Sequence, residues 1–450
     1  MKKMNFKLMT MLLLAGLFLA SCSEDDDNNN VEPETSNTIV DVAAGNDDFS
    51  VLVEALQKAD LDGALADETG SFTVFAPTNE AFSSLLDELG AESLDDIPNE
   101  TLTEVLLYHV SEGVMSSSAI STGYYSSIST GPADGYMLSY YVDMEDARIN
   151  DRADIIQTDI SADNGVIHVI DEVMLPLSIT GHAVANESLS SLTGAVTKAG
   201  LAETLDSDEN MFTVFAPANS AFDTFLSDLG VTLDDLTAND LTPILLYHVL
   251  SGFVPAEDVS AGYFPTLSPA QGSFSSLQIS LNDDGVFLNG ASQIVLTDVV
   301  ATNGVVHVID GVIQPMSVVD VAVNNSSFST LVEAVTQAGL AETLSGDGPF
   351  TVFAPTNAAF EDLFDALGVS GVAEIDNATL TDVLLAHVVS GNVASTDLSN
   401  GDVPTLNENK TLSINVDDGV VIDGEINVVL ADVQGSNGIV HVIDQVIVPE

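Results

Sequence analysis

Apolar side chains recur along the chain at the spacing of amphipathic helices, and the same stripes return in successive segments. The copies of a first stripe, spaced i, i+3, i+4, i+7, are Phe49, Leu52, Val53 and Leu56, and then Phe328, Leu331, Val332 and Val335. The copies of a second stripe are Phe82, Leu85, Leu86 and Leu89 before Gly90, Phe222, Phe225, Leu226 and Leu229 before Gly230, and Phe360, Leu363, Phe364 and Leu367 before Gly368. Both patterns predict helices that bury one face, and a glycine is a common helix stop.

The flanking residues indicate where these helices begin, and a third stripe follows them. Asp47 or Asp48 is a candidate N-cap for the first helix, and Asn79 is one for the second. The copies of the third stripe are Leu102, Val105, Leu106 and His109, then Leu241, Ile244, Leu245 and His248, then Leu380, Val383, Leu384 and His387. A histidine on such a stripe is more often a hydrogen-bonded core residue than a ligand contact, so we expect buried imidazoles.

Strand-like segments occupy the second half of each copy. Residues 277–281 and 286–288 flank the turn signal Asn-Asp-Asp-Gly at 282–285, and residues 416–420 repeat it. This acidic turn predicts a hairpin, because it lacks the twelve-residue ligand spacing of a calcium loop. Each copy closes with a strand that is apolar on both faces, which predicts a place inside a sheet. Helices first and antiparallel strands afterwards predict an α+β fold.

Three motifs recur in the same order at intervals of about 140 residues. They are TVFAPTN at 73–79, 213–219 (with Ala218) and 351–357, LYHV at 107–110 and 246–249 with LAHV at 385–388, and NGVIHVID and its variants at 164–171, 303–310 and 437–444. This period is a usual domain size. We therefore expect three domains, at 37–177, 178–316 and 317–450, and the short gaps between them predict that neighbours touch.

Together these motifs resemble the fasciclin domain, in that family's order and in all three copies. The resemblance implies a compact wedge of two β-sheets with helices packed at one end. It also implies a secreted or surface-anchored adhesion or matrix-binding protein that is not an enzyme. Because the family's Tyr-His motif has been linked to adhesion in animal members, the resemblance makes Tyr108, His109, Tyr247 and His248 adhesion candidates. The third copy departs from the motif, since it has Ala386 in place of the tyrosine.

The first 21 residues have the pattern of a secretory signal peptide, with a basic start and a short apolar run at 8–20. The run ends in Leu-Ala-Ser-Cys, which resembles a bacterial lipoprotein signal and makes Cys22 the expected lipidation site; a chance cysteine is the alternative. Residues 22–36 are acidic and polar and predict a solvated tether. They also resemble the surface-export signal of Bacteroidetes lipoproteins, with a plain spacer as the alternative. We expect a lipid-anchored protein of the cell envelope, exposed on the outer membrane.

Charge narrows the range of partners. Only 8 Lys and Arg residues stand against 69 Asp and Glu residues, which gives a formal net charge of −61. This balance excludes nucleic-acid binding by phosphate neutralisation and disfavours docking on an anionic membrane, so the N-terminal lipid is the expected membrane contact. The single cysteine excludes an intrachain disulfide and a cysteine-based metal site.

The remaining histidines do not form a recognisable catalytic or metal-binding pattern, so we expect no cofactor and no enzymatic activity. His168 and Asp171 are three positions apart on a predicted strand, and their side chains would point to opposite faces. His182 lies between the first two copies and is interpreted as a linker residue. The sequence contains no hydrolase, zinc-protease or phosphate-loop motif.

Tyrosine is concentrated in the first copy. Five of the eight tyrosines lie close together there, at Tyr124, Tyr125, Tyr136, Tyr140 and Tyr141. Because tyrosine combines a large apolar face with a polar tip, we expect a patch for a protein or glycan partner, with packing on the sheet as the alternative. The sequence as a whole predicts a surface lipoprotein used for adhesion or extracellular partner binding. A glycan-binding accessory protein of the outer membrane and a passive spacer are the alternatives.

Overall fold

The computed structural model describes residues 37–207 and 209–449, which form three domains built to one plan. The predicted signal peptide, Cys22 and the acidic tether lie outside the described residues. In each domain, three short helices precede the first strand, two more helices follow it, and six strands complete the domain. The α+β class predicted from the sequence is confirmed.

The helices occur in three matching sets of five. The first set is α1 (Ile39–Ala44), α2 (Ser50–Lys58), α3 (Asp62–Leu65), α4 (Asn79–Leu89) and α5 (Asn99–Tyr108). The second set is α6 (Ile179–Ala185), α7 (Ser190–Ala199), α8 (Ala202–Leu205), α9 (Asn219–Leu229) and α10 (Ala238–Tyr247). The third set is α11 (Val318–Val323), α12 (Ser329–Gln337), α13 (Ala341–Leu344), α14 (Asn357–Leu367) and α15 (Asn377–Ala386).

The strands occur in three matching sets of seven. The first set is β1 (Phe72–Pro77), β2 (Val110–Glu112), β3 (Gly123–Thr130), β4 (Met137–Asp143), β5 (Arg148–Ile149), β6 (Ala153–Ala162) and β7 (Gly165–Ile170). The second set is β8 (Phe212–Pro217), β9 (Val249–Ser251), β10 (Gly262–Ala270), β11 (Ser273–Asn282), β12 (Gly285–Leu288), β13 (Ser292–Ala301) and β14 (Gly304–Ile309). The third set is β15 (Phe350–Pro355), β16 (Val388–Ser390), β17 (Gly401–Pro404), β18 (Thr411–Asn415), β19 (Val421–Ile422), β20 (Ile426–Gly435) and β21 (Gly438–Ile443).

Asn79 caps a different helix from the one that the sequence indicated. It lies in the first turn of α4, and its Oδ1 accepts a hydrogen bond from the Val51 N–H at 2.9 Å, at the start of α2. Its Nδ2 donates to the Asp47 carbonyl at 2.8 Å. Asn219 and Asn357 make the equivalent contacts in the other domains. The predicted capping of α4 by Asn79 is therefore wrong, because this side chain instead fastens one helix to another.

Thr78 is the actual N-cap of α4, and its hydroxyl accepts from the backbone N–H three residues on. Asp47 and Asp48 belong to a 3₁₀ turn whose own cap is Asn46, so their predicted capping role is wrong. Gly90 ends α4 with a φ of 65°, a left-handed conformation that glycine adopts without a steric penalty. The predicted helix stop at this glycine is confirmed.

The strand order in the first domain is β2-β1-β7-β6-β5-β4-β3. Strands β1 and β7 are parallel, and the other neighbours are antiparallel. Strand β7 is buried at every position, as predicted for the apolar closing strand. In the second domain, Thr266 pairs with Leu250 and the strands close into a barrel. The pair Asn282–Gly285 joins β11 to β12, which confirms the predicted hairpin.

Two apolar clusters fill the first domain, one on each side of the parallel pair β1 and β7. Val74 and Ala76 belong to the cluster under the helices, and Phe75 belongs to the cluster formed with β4 and β5. This alternation follows from the pleat of β1, because successive side chains point to opposite faces. The arrangement confirms the wedge of β-sheet and packed helices that the resemblance implied.

Neighbouring domains are joined at both joints by the same hydrogen bond, from a backbone N–H to a serine hydroxyl. The Val300 N–H donates to Ser139 Oγ at 3.0 Å, and the Gln434 N–H donates to Ser276 Oγ at 3.0 Å. Each serine is buried on the fourth strand of one domain, and each donor lies near the end of the sixth strand of the next. The prediction that neighbouring domains touch is confirmed.

A tyrosine adds a second contact that both joints share. The hydroxyl of Tyr124 lies 3.3 Å from Nδ2 of Asn186, and the hydroxyl of Tyr263 lies 3.0 Å from Nδ2 of Asn325. Both rings pack against the apolar cluster of the following domain. The third domain has Asp402 at the same strand position. The two joints are therefore copies of one interface.

Replacing Ser276 by Ala is expected to loosen the second joint. The Gln434 N–H would lose its acceptor inside the interface, and a buried unsatisfied backbone group costs about 1 to 3 kcal/mol. Residual dipolar couplings of the full chain should then show the third domain moving against the second. Ser273→Ala, at an exposed position on the same strand, is the control and is expected to leave the couplings unchanged. Unchanged couplings in Ser276→Ala would show that this bond does not hold the joint.

Candidate functional site

The histidine of the first Tyr-His motif is a buried structural link. His109 follows α5, and its Nδ1 lies 2.6 Å from the Val105 carbonyl. Its Nε2 accepts a hydrogen bond from the Met174 N–H at 2.8 Å. Because the second nitrogen is an acceptor, the proton must be on Nδ1. Burial lowers the pKa of His109 to about 4, so the ring is neutral near pH 7.

The other two copies repeat this arrangement. The Nδ1–carbonyl and Nε2–amide distances are 2.8 Å to Ile244 and 3.1 Å to Ile313 for His248, and 2.8 Å to Val383 and 2.9 Å to Ile447 for His387. Burial also lowers the pKa of each of these two rings to about 4. Both nitrogens of each ring are engaged, so each imidazole ties a helix end to the segment after the closing strand. The prediction of interior histidines is confirmed.

The tyrosines of the motif are buried as well. The Tyr108 hydroxyl donates to the Ser139 carbonyl at 2.7 Å and accepts from Asn150 Nδ2 at 3.1 Å. Tyr247 makes the equivalent bond to the Ser276 carbonyl at 2.8 Å. Burial raises the pKa of both hydroxyls far above the usual range.

Tyr108 lies no nearer the surface than His109, because both sides of this helix end are covered. His109 faces the helices, and Tyr108 packs into the cluster formed by β4 and β5. The adhesion candidates Tyr108, His109, Tyr247 and His248 are each at most 2% exposed. A partner cannot reach them in the folded chain, and any effect of their mutation on adhesion would act through the fold.

The histidines of the closing strands are also committed to backbone contacts. His168 Nε2 lies 2.9 Å from the Met115 carbonyl, and its Nδ1 accepts from the Asp159 N–H at 3.3 Å. Asp171 instead accepts from the Asp154 N–H at 2.8 Å. His168 and Asp171 therefore have separate partners, as their opposite faces predicted. His307 and His441 repeat these contacts, and burial lowers the pKa of both.

His182 is not a linker residue, and that interpretation is wrong. It lies in α6, it is fully buried, and its ring packs edge-on against Tyr124 with centroids 5.6 Å apart. Its Nε2 lies 3.3 Å from the Val300 carbonyl, and burial lowers its pKa to about 4. The helix places this histidine inside the first joint, where the second joint has Val321. The linker interpretation missed the helix because α6 has only 7 residues.

The tyrosine cluster lies largely in the first joint and the core. Tyr140 is fully buried, and Tyr125 stacks on it with centroids 5.8 Å apart. Tyr124 and Tyr141 form an edge-on pair at 4.9 Å, with Tyr124 reaching the second domain. The hydroxyl of Tyr136 donates to Glu257 of the second domain at 2.6 Å, which raises its pKa to about 12.

The prediction of an external tyrosine patch is thus corrected, because these tyrosines form an internal cluster. Tyr124 and Tyr136 cross the joint, and Tyr140 and Tyr141 are buried. Tyr125 is half-buried, and its hydroxyl donates to the Ser121 carbonyl at 2.9 Å. Packing on the sheet, the alternative interpretation, describes these contacts better, because each ring already has a neighbour inside the chain.

Asn164, which opens the closing-strand motif, is a key residue that the sequence interpretation missed. Its Oδ1 accepts from the Ile39 N–H at 2.8 Å, and its Nδ2 donates to the carbonyls of Leu65 and Asp67 at 2.8 and 3.1 Å. One amide thereby fastens α1 and the end of α3 to the sheet. Its recurrence at 303 and 437 was the available signal.

The described residues provide no evident metal site or membrane span. Across 37–207 and 209–449, no group of three or more His, Cys, Asp and Glu side chains could hold a metal ion. In the same ranges, no helix is both long and apolar enough to cross a bilayer.

Comparison with known proteins identifies the domain type. A family model described as the fasciclin domain matches residues 47–176, 187–315 and 326–449. Transforming growth factor-beta-induced protein ig-h3 of Sus scrofa is 30% identical over 385 residues, which cover 84% of this chain and 53% of that protein. Periostin of Homo sapiens is 31% identical over 242 residues, which cover 53% of this chain and 28% of periostin. The chain spans about half the length of the ig-h3 proteins that it matches.

A solved FAS1 domain pair from the insect cell adhesion molecule fasciclin I is also similar. It aligns with a TM-score of 0.39 and 20% identity, and the alignment covers 58% of this chain and 97% of the insect chain. The three family matches coincide with the three domains of the fold and take in most of the sequence. They confirm the resemblance inferred from the repeated motifs, and the chain belongs to the fasciclin domain family, of which it carries three tandem copies.

Proposed function

We propose that this chain is a non-enzymatic, lipid-anchored cell-surface protein that mediates adhesion or binds an extracellular partner through its fasciclin domains. The observation that carries the proposal is the burial of all seven histidines. Each of them lies within hydrogen-bond reach of backbone groups. Side chains of the type that enzymes use for proton transfer are thus committed to the fold. The exposed surface of three coupled domains remains for function, and such a surface suits binding.

The proposed anchor is an acyl group on Cys22, followed by the acidic run at 22–36 as a spacer. The net charge of −61 supports a lipid as the means of attachment, since an anionic protein is repelled by an anionic membrane surface. The outer face of the outer membrane is the proposed location, because a surface adhesin must meet its partner outside the cell.

Cells that produce the full chain are expected to attach to surfaces coated with matrix protein or polysaccharide, and Cys22→Ser should abolish most of this attachment. The serine variant lacks the thiol that would carry the lipid, so it would be released from the surface. Two quantities are measured: the number of cells that stay attached to the coated surface, and the amount of protein on intact cells that a protease can reach. Equal surface protein in both variants would contradict lipid anchoring, and surface protein without attachment would contradict adhesion.

A passive spacer is the second candidate, and the contacts shared by both joints favour it because they hold neighbouring domains together. Competition separates the two candidates. Excess soluble Cys22→Ser protein is expected to block attachment if the domains bind a partner, and it would have no effect if the chain only spaces other groups. If soluble polysaccharide by itself blocks attachment, the partner is a glycan.

A further inference from the structure

Each domain contains an apolar cavity in the same place, between its first helices and the parallel strands. The cavity volume is about 100 Å³ in the third domain, about 90 Å³ in the second and about 20 Å³ in the first. Apolar cavities stay dry, and one of about 150 Å³ in another protein binds benzene or xenon. The two larger cavities therefore approach the size that holds a small guest, and the smallest does not.

Side-chain size accounts for the difference between the domains. Leu56 lines the cavity of the first domain, and Val196 and Val335 occupy the equivalent helix position in the other two. Ile167 on β7 is matched by the shorter Val306 on β14. Packed neighbours relax only partly around a missing methylene, so each shorter side chain leaves space. The first domain thus has the same cavity, but larger side chains fill most of it.

Apart from the exposed Thr197, the polar side chains that line the two larger cavities are already engaged in hydrogen bonds. Both ring nitrogens of His248 and of His387 bond to backbone groups, as described above. The hydroxyl of Thr193 donates to the Ala183 carbonyl at 2.8 Å, and that of Thr336 donates to the Val332 carbonyl at 2.7 Å. A polar guest would lose its bonds to water without replacement, so the cavities select for nonpolar molecules.

The larger cavities also reach the surface through an apolar rim. Val184 and Val323 line the second and third cavities and are 57% and 56% exposed, whereas the first domain has Ala44 at this position. The net charge of −61 opposes the approach of an anion such as a fatty acid. The favoured guest is therefore neutral as well as nonpolar.

We propose that the second and third domains each bind one small, neutral, nonpolar molecule, no larger than about a benzene ring. The first domain binds none, because Leu56 and Ile167 fill the space. This site is separate from the proposed adhesive surface, and it stands or falls independently of adhesion.

Benzene and xenon are the probes, and the full chain is the sample. Isothermal titration with benzene and xenon-129 NMR are each expected to report two saturable sites per chain. The variant V196L/V335L places the leucine of the first domain in both cavities and should reduce the number of sites to none. No saturable binding by the native chain, or undiminished binding in V196L/V335L, would overturn the proposal.

Single variants and a charged competitor complete the test. V335L alone is expected to leave one site, which keeps the test informative if the double variant folds poorly. The reciprocal variant L56V/I167V should add a third site by emptying the cavity of the first domain. Dodecanoate is expected to leave benzene binding unchanged, and displacement of benzene by dodecanoate would contradict selection for a neutral guest.

Discussion

Lowering the pH from 6.5 to 4 is expected to remove a large part of the stability of all three domains. Burial lowers the pKa of His109, His182, His248 and His387 to about 4, whereas an unfolded histidine titrates near 6.5. Within this window, the unfolded chain binds protons that the folded chain excludes. The stabilisation is therefore complete above pH 6.5 and is lost as the pH falls towards 4. Each ring contributes about 3 kcal/mol, because one pKa unit corresponds to about 1.4 kcal/mol.

The second domain is expected to be the most acid-sensitive, since it contains two of these rings, His182 and His248. Urea unfolding followed at pH values between 7 and 4.5 would measure the loss. High salt should be present, because it screens the surface repulsion that carboxylate protonation also relieves. His182→Val, which copies Val321 of the second joint, is the control. It should reduce by one the number of protons that this domain binds on unfolding. A constant free energy of unfolding for this domain from pH 6.5 to 4.5 would contradict the argument.

Replacing Asn164 by Ala is expected to destabilise the first domain by about 3 kcal/mol or more. The change removes three hydrogen bonds and leaves the Ile39 N–H and the Leu65 and Asp67 carbonyls without this partner. The bonds to the Ile39 N–H and the Leu65 carbonyl are buried, so these two groups cannot exchange the partner for water without opening the structure. The first domain's unfolding transition, measured by denaturant titration of the full chain, should move to lower urea concentration.

A matched substitution separates this role from a general effect of losing an asparagine. Asn282 lies in an exposed hairpin turn and accepts a bond from the Asp284 N–H at 2.9 Å. Asn282→Ala is expected to change stability by a few tenths of a kcal/mol, because water can replace its contacts. Asn303→Ala should repeat the large effect in the second domain, where the amide holds Ile179 and Leu205. Equal effects of the changes at 164 and 282 would contradict the argument.

The periodic patterns predicted secondary structure well because helix and strand periods are local properties. The stripe from Phe82 to Leu89 corresponds to α4, and the run of Val and Ile in the closing motif is the buried strand β7. By contrast, α1 spans only 6 residues, too few for its period to stand out. The parallel pairing of β1 with β7 depends on contacts nearly a hundred residues apart, which no local pattern records.

The candidate site was harder to predict, because a stripe reveals one buried face and not what covers the other. The stripe ending at His109 located the helix core correctly, but it did not show that β4 would cover Tyr108. One further signal was present, since Tyr124 recurs as Tyr263 and both serve the joints. His182 has Val321 as its counterpart, so comparison of the copies offered no such signal there.

The repetition of one joint has a consequence for how the chain meets a partner. Because the contacts of Ser139 recur at Ser276 and those of Tyr124 recur at Tyr263, both joints use equivalent residues of neighbouring domains. A patch common to the three domains would thus recur once per domain along the chain. A partner with a matching repeat, such as a polymer, would gain avidity from simultaneous contacts that are individually weak. A monomeric fragment of that partner would gain no avidity. The chain would therefore select partners by the spacing of their repeats.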